Sequence, residues 1–269
     1  MEQNFKVMTF NLRINASQDP YSWEQRRLWA AAVIEEQKPD LIGAQEVTIP
    51  MLDWLTDRFR DRYDLYAVNR KQSNDAGEHC AILVKKETFS IVHKSSFMLS
   101  ETPDVIGSFG WDAACERICS WVELAGRHNG TPMLRFYNTH LDHRGDLARK
   151  EGLRLVLTEM GRQTEALPAI LTGDFNAGPE NELFRVMAGF APMSGCFDSW
   201  SEEEQRRSKT FHGYKGGDEG SPIDYIFASE GLAIESTAII RDRFDEGYPS
   251  DHYPVVSTIR WKVGTTHGL

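Results

Sequence analysis

Asp174 and Asn176 stand two residues apart in Leu171-Thr-Gly-Asp-Phe-Asn-Ala-Gly-Pro-Glu180, directly after an apolar run over 167–171. A carboxylate and a carboxamide so spaced beyond a strand point to one side, with Phe175 turned to the other. Such oxygen donors can hold a water and touch a hard cation. The same pair also suits an Asx turn leading into a helix. Polar residues recur at comparable places. Asn11, Glu46, His140 with Asp142, Asp224, and Asp251-His252 each sit where an apolar run starts or ends. In layered folds, residues at strand ends can converge on one crevice. Taken singly, Asn11 could be a turn former, Glu46 a helix-starting acid and His140 a hydrogen-bonded core histidine. Asp224, inside Pro-Ile-Asp-Tyr-Ile-Phe, is harder to place, because an acid within an apolar strand needs a partner. His252 is the natural candidate, since an Asp-oriented imidazole is a common catalytic unit.

Hydrophobic periodicity supplies the elements that would carry these residues. Residues 5–10 read as a strand ending in Asn11, with Arg13 just after. Ser22-Trp-Glu-Gln25 has the form of a capping box, opening a helix with Leu28, Ala31, Ala32 and Glu35 at helical spacing. Pro39-Asp40 ends it, a strand follows over 41–46, and after Thr48 comes a helix over 51–59. The pattern then turns to strands over 65–68, 80–84 and 89–92, expected as successive antiparallel neighbours. Two more, over 117–124 and 133–140, flank a His128-Asn-Gly130 turn. Leu153, Val156, Leu157 and Met160 mark an amphipathic helix with Arg149, Lys150 and Arg154 off its apolar face. Gly178-Pro179 predicts a helix over 179–188, with Glu180 and Glu182 in its first turn. Residues 201–209 read as a charged loop, and strands over 223–228, 233–240 and 254–261 complete the chain. The expectation is one α/β domain over 1–269, with two packed, mainly antiparallel sheets flanked by helices.

Acids outnumber bases 40 to 30, a formal charge of −10, which argues against a broad basic surface for duplex nucleic acid. Cys80, Cys115, Cys119 and Cys196 show no paired zinc spacing and are expected as reduced thiols. No run approaches the ~20 apolar residues of a membrane span, and no basic-then-apolar leader opens the chain. A soluble, cytoplasmic monomer is expected. No Gly-x-Ser-x-Gly elbow, phosphate-binding Gly-rich Lys loop or zinc-protease helix competes for the function.

Thr9-Phe-Asn11, Gln45-Glu46, Asn138-Thr-His140, Gly173-Asp-Phe-Asn176, Ile223-Asp-Tyr225 and Ser250-Asp-His252 resemble, in order, the motifs of the endonuclease/exonuclease/phosphatase superfamily. That group includes pancreatic-type deoxyribonuclease, apurinic-site endonucleases, inositol polyphosphate 5-phosphatases, sphingomyelinases and deadenylase-like phosphodiesterases. The resemblance implies a four-layer α/β/β/α sandwich. It implies Glu46 as principal metal ligand with Asn11 and Asp251 beside it, Asp174 as activator of the attacking water, and Asn176 as its placer. His252, paired with Asp224, and His140 would contact the phosphoryl oxygens.

An all-oxygen ligand set suits Mg²⁺ or Mn²⁺ better than Zn²⁺. The expected activity is hydrolysis of a phosphodiester or phosphomonoester by a metal-site water, on a small or single-stranded substrate. A nuclease acting on DNA or RNA is the alternative. A non-catalytic relative keeping the fold is disfavoured by the intact set Asn11, Glu46, Asp174, Asn176, Asp224 and His252. Three stretches are candidates for substrate contact. The loop over 100–117 carries Trp111 and Arg117. Thr210-Phe-His-Gly-Tyr-Lys215 carries His212 and resembles the matching loop of the deadenylase-like branch. Asp142-His143 extends the His140 motif toward the metal site. Arg13, Lys71, Arg117, Arg135 and Arg144 are scattered singly, enough for one or two phosphates.

Overall fold

The computed structural model describes residues 4–262 apart from 73–76, 128–129, 163–166, 191 and 245–246. The chain opens with β1 (Phe5–Asn11), α1 (Trp23–Gln37), β2 (Leu41–Val47), α2 (Ile49–Phe59), β3 (Tyr63–Tyr66) and β4 (His79–Lys85). It continues with β5 (Phe89–Met98), β6 (Ile118–Gly126), β7 (Pro132–His140), α3 (Asp146–Gly161), β8 (Ala169–Asp174) and α4 (Leu183–Ala188). The last elements are β9 (Met193–Gly195), α5 (Glu202–Arg206), β10 (Asp224–Ser229), β11 (Leu232–Ile239) and β12 (Val255–Trp261). Two six-stranded sheets result, ordered β11-β12-β1-β2-β4-β3 and β5-β6-β7-β8-β10-β9. Each contains one parallel pair, β1 with β2 and β7 with β8, bridged by α1 and α3 respectively. Parallel neighbours need such a crossover, so the two helices follow from the pairing.

Apolar surface divides into layers. Met8, Phe10, Ile42, Ala44 and Leu83 on the first sheet pack against Trp23, Ala30, Ile34, Met51 and Leu55 of α1 and α2. The opposite face, with Val7, Leu41, Ile82 and Val84, joins Val122, Phe136, Ile170 and Ile226 in the larger core between the sheets. Leu153, Val156 and Leu157 of α3 cover the far side of the second sheet.

A polar latch crosses the apolar space between the sheets. Asn138 on β7 donates to the carbonyls of Ala44 (3.0 Å) and Ala81 (2.9 Å) on the other sheet. Its Oδ1 accepts from Gln45 Nε2 at 2.6 Å and from Thr172 at 3.2 Å, and Gln45 also donates to Thr9. All four side chains are fully buried. Gly43 makes the approach possible, because a Cβ there would lie 2.1 Å from Thr172 Oγ1 and 2.6 Å from Asn138 Oδ1.

Several local expectations change. The strand at 89 does not follow β4 in its sheet; β5 crosses to the second sheet and pairs with β6. Gly178-Pro179 makes a turn, and α4 begins only at Leu183, where Asn181 Oδ1 accepts from its first N–H at 3.0 Å. Residues 201–209 contain α5, whose start is a capping box of Ser201 and Glu204. In α1 the buried face is Trp23, Arg26, Ala30, Ala31, Val33 and Ile34, whereas Leu28 is exposed. Arg149 is buried and donates to the Asp142 carbonyl at 2.8 Å. The apparent surface cation is a brace for the His140 segment. The thiols are all free, and His128 and Asn129 of the proposed turn lie outside the described residues.

The latch yields a prediction. Asn138→Ala removes the side-chain donor to two strand carbonyls and the acceptor shared by Gln45 and Thr172, a loss of about 2–4 kcal/mol. Urea unfolding should show it as a lower midpoint at unchanged slope. A change below ~0.5 kcal/mol, the range of an ordinary surface substitution, would mean that the latch contributes nothing.

Candidate active site

The latch brings the ends of β1 and β2 opposite the ends of β7, β8 and β10. Within the second sheet, His140 and Asp224 both pair in register with Asp174, so the three occupy one row across adjacent strands. Within the first, Asn11 pairs with Gln45, and the β2–β4 register shifts between Ala44 and Val47. Glu46 sits in that irregularity at φ 59°, which re-aims its side chain out of the ladder.

Arg26 organises the loops around this row. It is fully buried and donates to the carbonyls of Leu12 (2.6 Å), Arg13 (2.9 Å), Ile14 (3.0 Å), Tyr21 (3.2 Å) and Pro249 (3.1 Å). Ser250 Oγ donates to the Asn11 carbonyl at 2.6 Å. The segment bearing Asp251 and His252 is thereby tied to the end of β1.

Asp174 is the hub. Its Oδ2 accepts from Asn11 Nδ2 at 2.9 Å and its Oδ1 from the Asn176 N–H at 2.9 Å. His140 Nε2 lies 3.5 Å and His252 Nε2 3.8 Å from Oδ2. Asn176, held at φ 49°, donates to the Leu141 carbonyl and to His140 Nε2, each at 3.0 Å. His252 Nδ1–H donates to Asp224 Oδ2 at 2.9 Å, which is the partner that the buried acid requires. Thr210 Oγ1 fixes the start of β10 by accepting from the N–H groups of Ile223 and Asp224.

The two imidazoles are driven apart electrostatically. Burial alone would lower the His252 pKa, but Asp224, Asp174 and Asp251 outweigh it and raise it to about 10. His140 moves well below its ordinary value, first through burial and then through the charges of Arg117 and Arg70. One histidine is therefore a cation at neutral pH and the other is neutral, accepting from Asn176. Burial, then the neighbouring Asp224 carboxylate, raises the Asp174 pKa, giving it more basic character than an ordinary aspartate.

Asp174, Asn176, His140 and His252 line a cavity of about 440 Å³, together with Arg13, Ile14, Glu46, Arg70, Glu78, Cys115, Arg117, His143, Phe211, Ile223 and Asp251. A second cavity of about 460 Å³, behind β10 between Phe184 and Phe197, is apolar and does not include the polar row. Glu46 and Asp251 border the first cavity and flank the Arg13 guanidinium at 3.8 and 3.7 Å. Two carboxylates beside Asp174 form a hard oxygen donor set, which fits Mg²⁺ or Mn²⁺. Asp174, Asp224 and His252 also lie close enough to share an ion. His252, however, is held by Asp224 as a cation, which opposes metal ligation by its ring.

The other sequence candidates fall at varied places. Asn11 turns its amide NH₂ to Glu46 Oε1 (3.0 Å) and Asp174, while its Oδ1 accepts from the Arg13 N–H. It spaces two acids. Asp142 is saturated by the N–H groups of Ala114, Arg144 and Gly145 and by Arg117 Nε, so it holds the loop and Arg117 instead of lining the cavity. His212 stacks on Tyr253 at 3.9 Å and is buried away from the cavity lining. Trp111 also lies outside the lining, its N–H bound to the Glu101 carboxylate. Arg135 pairs with Glu123 at 2.9 Å. Arg70 and Glu78, which carry no motif, do line the cavity. Arg13, Arg70 and Arg117 thus converge, where the sequence suggested single scattered cations.

Two packed mixed sheets with a carboxylate- and imidazole-lined crevice at their common edge define the phosphoesterase sandwich class. The chain belongs to the Endonuclease/Exonuclease/phosphatase family, whose sequence model matches residues 8–252. Members of this family are hydrolases of phosphoester bonds. A family protein from Bacteroides thetaiotaomicron is 31% identical, with 98% of this chain and 100% of that chain covered and a TM-score of 0.86. A mannosyl-6-phosphatase from the same organism is 32% identical, with coverage of 95% and 99% and a TM-score of 0.85. Zebrafish (D. rerio) TDP2, solved with a single-strand DNA product, shares the fold at 17% identity, with coverage of 96% and 99% and a TM-score of 0.75. A comparison with curated proteins finds no match. Among the described residues, no helix is long and apolar enough to cross a membrane.

The Asp224–His252 pair sets a pH dependence. A folded pKa near 10, above the ordinary 6.5, makes its stabilisation complete below about pH 6.5 and lost as pH rises toward 10. Unfolding free energy of the chelated protein should fall across that window, and Asp224→Asn should flatten the fall. Equal slopes for both proteins would rule the pairing out.

Proposed function

We propose that this chain is a divalent-metal-dependent phosphoester hydrolase acting on a small molecule or a single-stranded end. The observation that carries the reading is Asp174, placed between Asn11 beside Glu46 on one side and His140 and His252 on the other. In-line attack on a phosphoester needs a water that loses a proton and relief of charge on the phosphoryl oxygens. Asp174 accepts the water's proton, its basicity supported by burial. Asn176 holds neutral His140 beside Asp174, and its amide oxygen is left to accept from the water. Protonated His252, held by Asp224, stabilises the charge that develops on the phosphoryl group. Glu46 and Asp251 would hold the metal, which supplies Lewis acidity and orientation when bound.

The confined cavity supports a small substrate, as does the phosphatase name of one relative. The three cavity arginines each already face a carboxylate: Asp19 for Arg13, Glu78 for Arg70 and Asp142 for Arg117. Such paired charges do not make the continuous basic track that a duplex backbone selects. Phe211, 48% exposed and with its ring 5.0 Å from that of His252, could stack on a base at the mouth. That contact keeps a single-stranded end within the reading.

Phosphomonoesters, phosphodiesters, oligonucleotides and plasmid, each assayed with Mg²⁺ or Mn²⁺, test it. Chelation and Glu46→Gln should each abolish turnover, and Asp174→Asn should lower it roughly 10²–10⁴-fold without loss of fold. The reading fails if turnover survives chelation together with Glu46→Gln. Efficient plasmid cleavage with little activity on the smaller esters would replace it with a duplex nuclease.

A further inference from the structure

Arg13 lines the cavity but has no part in the chemistry above. Its main chain is fixed without help from its side chain. The N–H donates to Asn11 Oδ1 at 3.0 Å, and the carbonyl accepts from Arg26 Nη2 at 2.9 Å. A substitution here therefore leaves the loop anchored at the end of β1.

The guanidinium is clamped from one side. Nε and Nη2 donate to the two carboxylate oxygens of Asp19 at 2.8 and 3.0 Å, a two-point pairing that fixes its plane. Nη1 is left over. It lies 3.8 Å from Glu46 Oε2, while Nε lies 3.7 Å from Asp251 Oδ2, both too long for hydrogen bonds. Nη1 has no hydrogen-bond partner among the described residues, yet it is not sealed off as Nη1 of Arg117 is. It stays open to the cavity that its side chain lines.

A plain counter-ion would close on Glu46 and Asp251. Asp19 instead holds Arg13 back from both, and the Glu46 oxygens take the Asn11 amide and the Ile14 N–H, each at 3.0 Å. One charged N–H is thus kept free beside two carboxylates. A phosphoryl oxygen brought to that place accepts from a guanidinium more strongly than from a neutral donor. A divalent cation seated on the same carboxylates meets the opposite effect, because the Arg13 charge stands within a few ångströms of its ligands and repels it. Removing that charge would also leave Asp19 unbalanced, and its carboxylate would add to the attraction. We propose that Arg13 is a phosphate-contacting residue that also weakens the hold of Glu46 and Asp251 on the metal. This rests on the metal-dependent phosphoesterase reading and adds a residue to its machinery.

Calorimetry with Mg²⁺ or Mn²⁺ alone, and with inorganic phosphate at saturating metal, tests it on the wild type, Arg13→Gln and Arg13→Lys. Arg13→Gln should bind the metal roughly threefold or more tighter and phosphate roughly tenfold or more weaker. Arg13→Lys keeps the charge but not the fork that Asp19 holds, so its metal affinity should stay within about twofold of wild type while phosphate weakens. Opposite signs for the two ligands separate this role from a structural one, which would weaken both. Metal affinity unchanged or lowered by Arg13→Gln, or phosphate affinity unchanged, overturns the proposal. If Arg13→Gln does not fold, Arg13→Lys decides, and unchanged phosphate affinity in it overturns the contact. A wild type that binds neither Mg²⁺ nor Mn²⁺ defeats the metal-dependent reading and the proposal together, whereas metal binding insensitive to Arg13 defeats the proposal alone.

Discussion

Asn138 spans the gap between the two sheets with one side chain, donating twice to the first sheet while accepting from Gln45 and Thr172. Apolar packing between sheets is non-directional and tolerates sliding. Fixed hydrogen bonds in a dry interior do not, because any slip leaves buried polar groups unpaired. The crevice depends on this constraint. Asn11 and Glu46 come from one sheet and His140, Asp174 and Asp224 from the other, and the hydrogen bond from Asn11 to Asp174 requires both sheets in one alignment. Gly43 belongs to the same device, since any side chain there would push the layers apart.

The site itself is a balance of closely spaced charges. Asp174, Asp224 and Asp251 would repel one another if all were ionised in a dry pocket. The protonated His252 sits among them, and Arg13 faces Glu46 and Asp251 while held at 2.8 Å by Asp19. His140 is kept neutral by burial and by the positive side of the cavity. Two histidines of identical chemistry thus acquire opposite roles from which strand end they occupy. Loop residues do the holding: Arg26 gathers the carbonyls around β1, and Asp142 gathers the N–H groups around Arg117.

Much of this was legible in the residues because polar types at the ends of apolar runs are unusual. Asp224 within an apolar strand demanded a partner, and His252 is that partner. The layered class and most strands followed from periodicity. Other features left no local mark. Asn138 and Gln45 read as motif residues, but their task as a latch exists only between layers. Arg70 and Glu78 look like any charged loop pair until β4 brings them to the crevice. Leu28 was assigned to a buried face and is exposed, because the packing face of α1 includes Arg26, a cation whose five carbonyl partners no hydrophobicity pattern anticipates. Trp111 and His212 were candidates for substrate contact, yet the His212 ring stacks on Tyr253 and Trp111 is outside the cavity lining, while Phe211 beside His212 lies in it.

Strand β1 lies inside its sheet, with β2 on one edge and β12 on the other, Phe5 opposite Ile259. Strand β1 therefore waits for a partner about 250 residues further along the chain before its sheet can close. Until β12 emerges, an apolar strand keeps an open edge, the condition under which nascent chains recruit chaperones or pair wrongly. Asp251 and His252 lie just ahead of β12, so the polar crevice is completed only with that strand. Contacts this distant along the chain make for slow folding, and they leave a nascent chain without its polar crevice until β12 has been made.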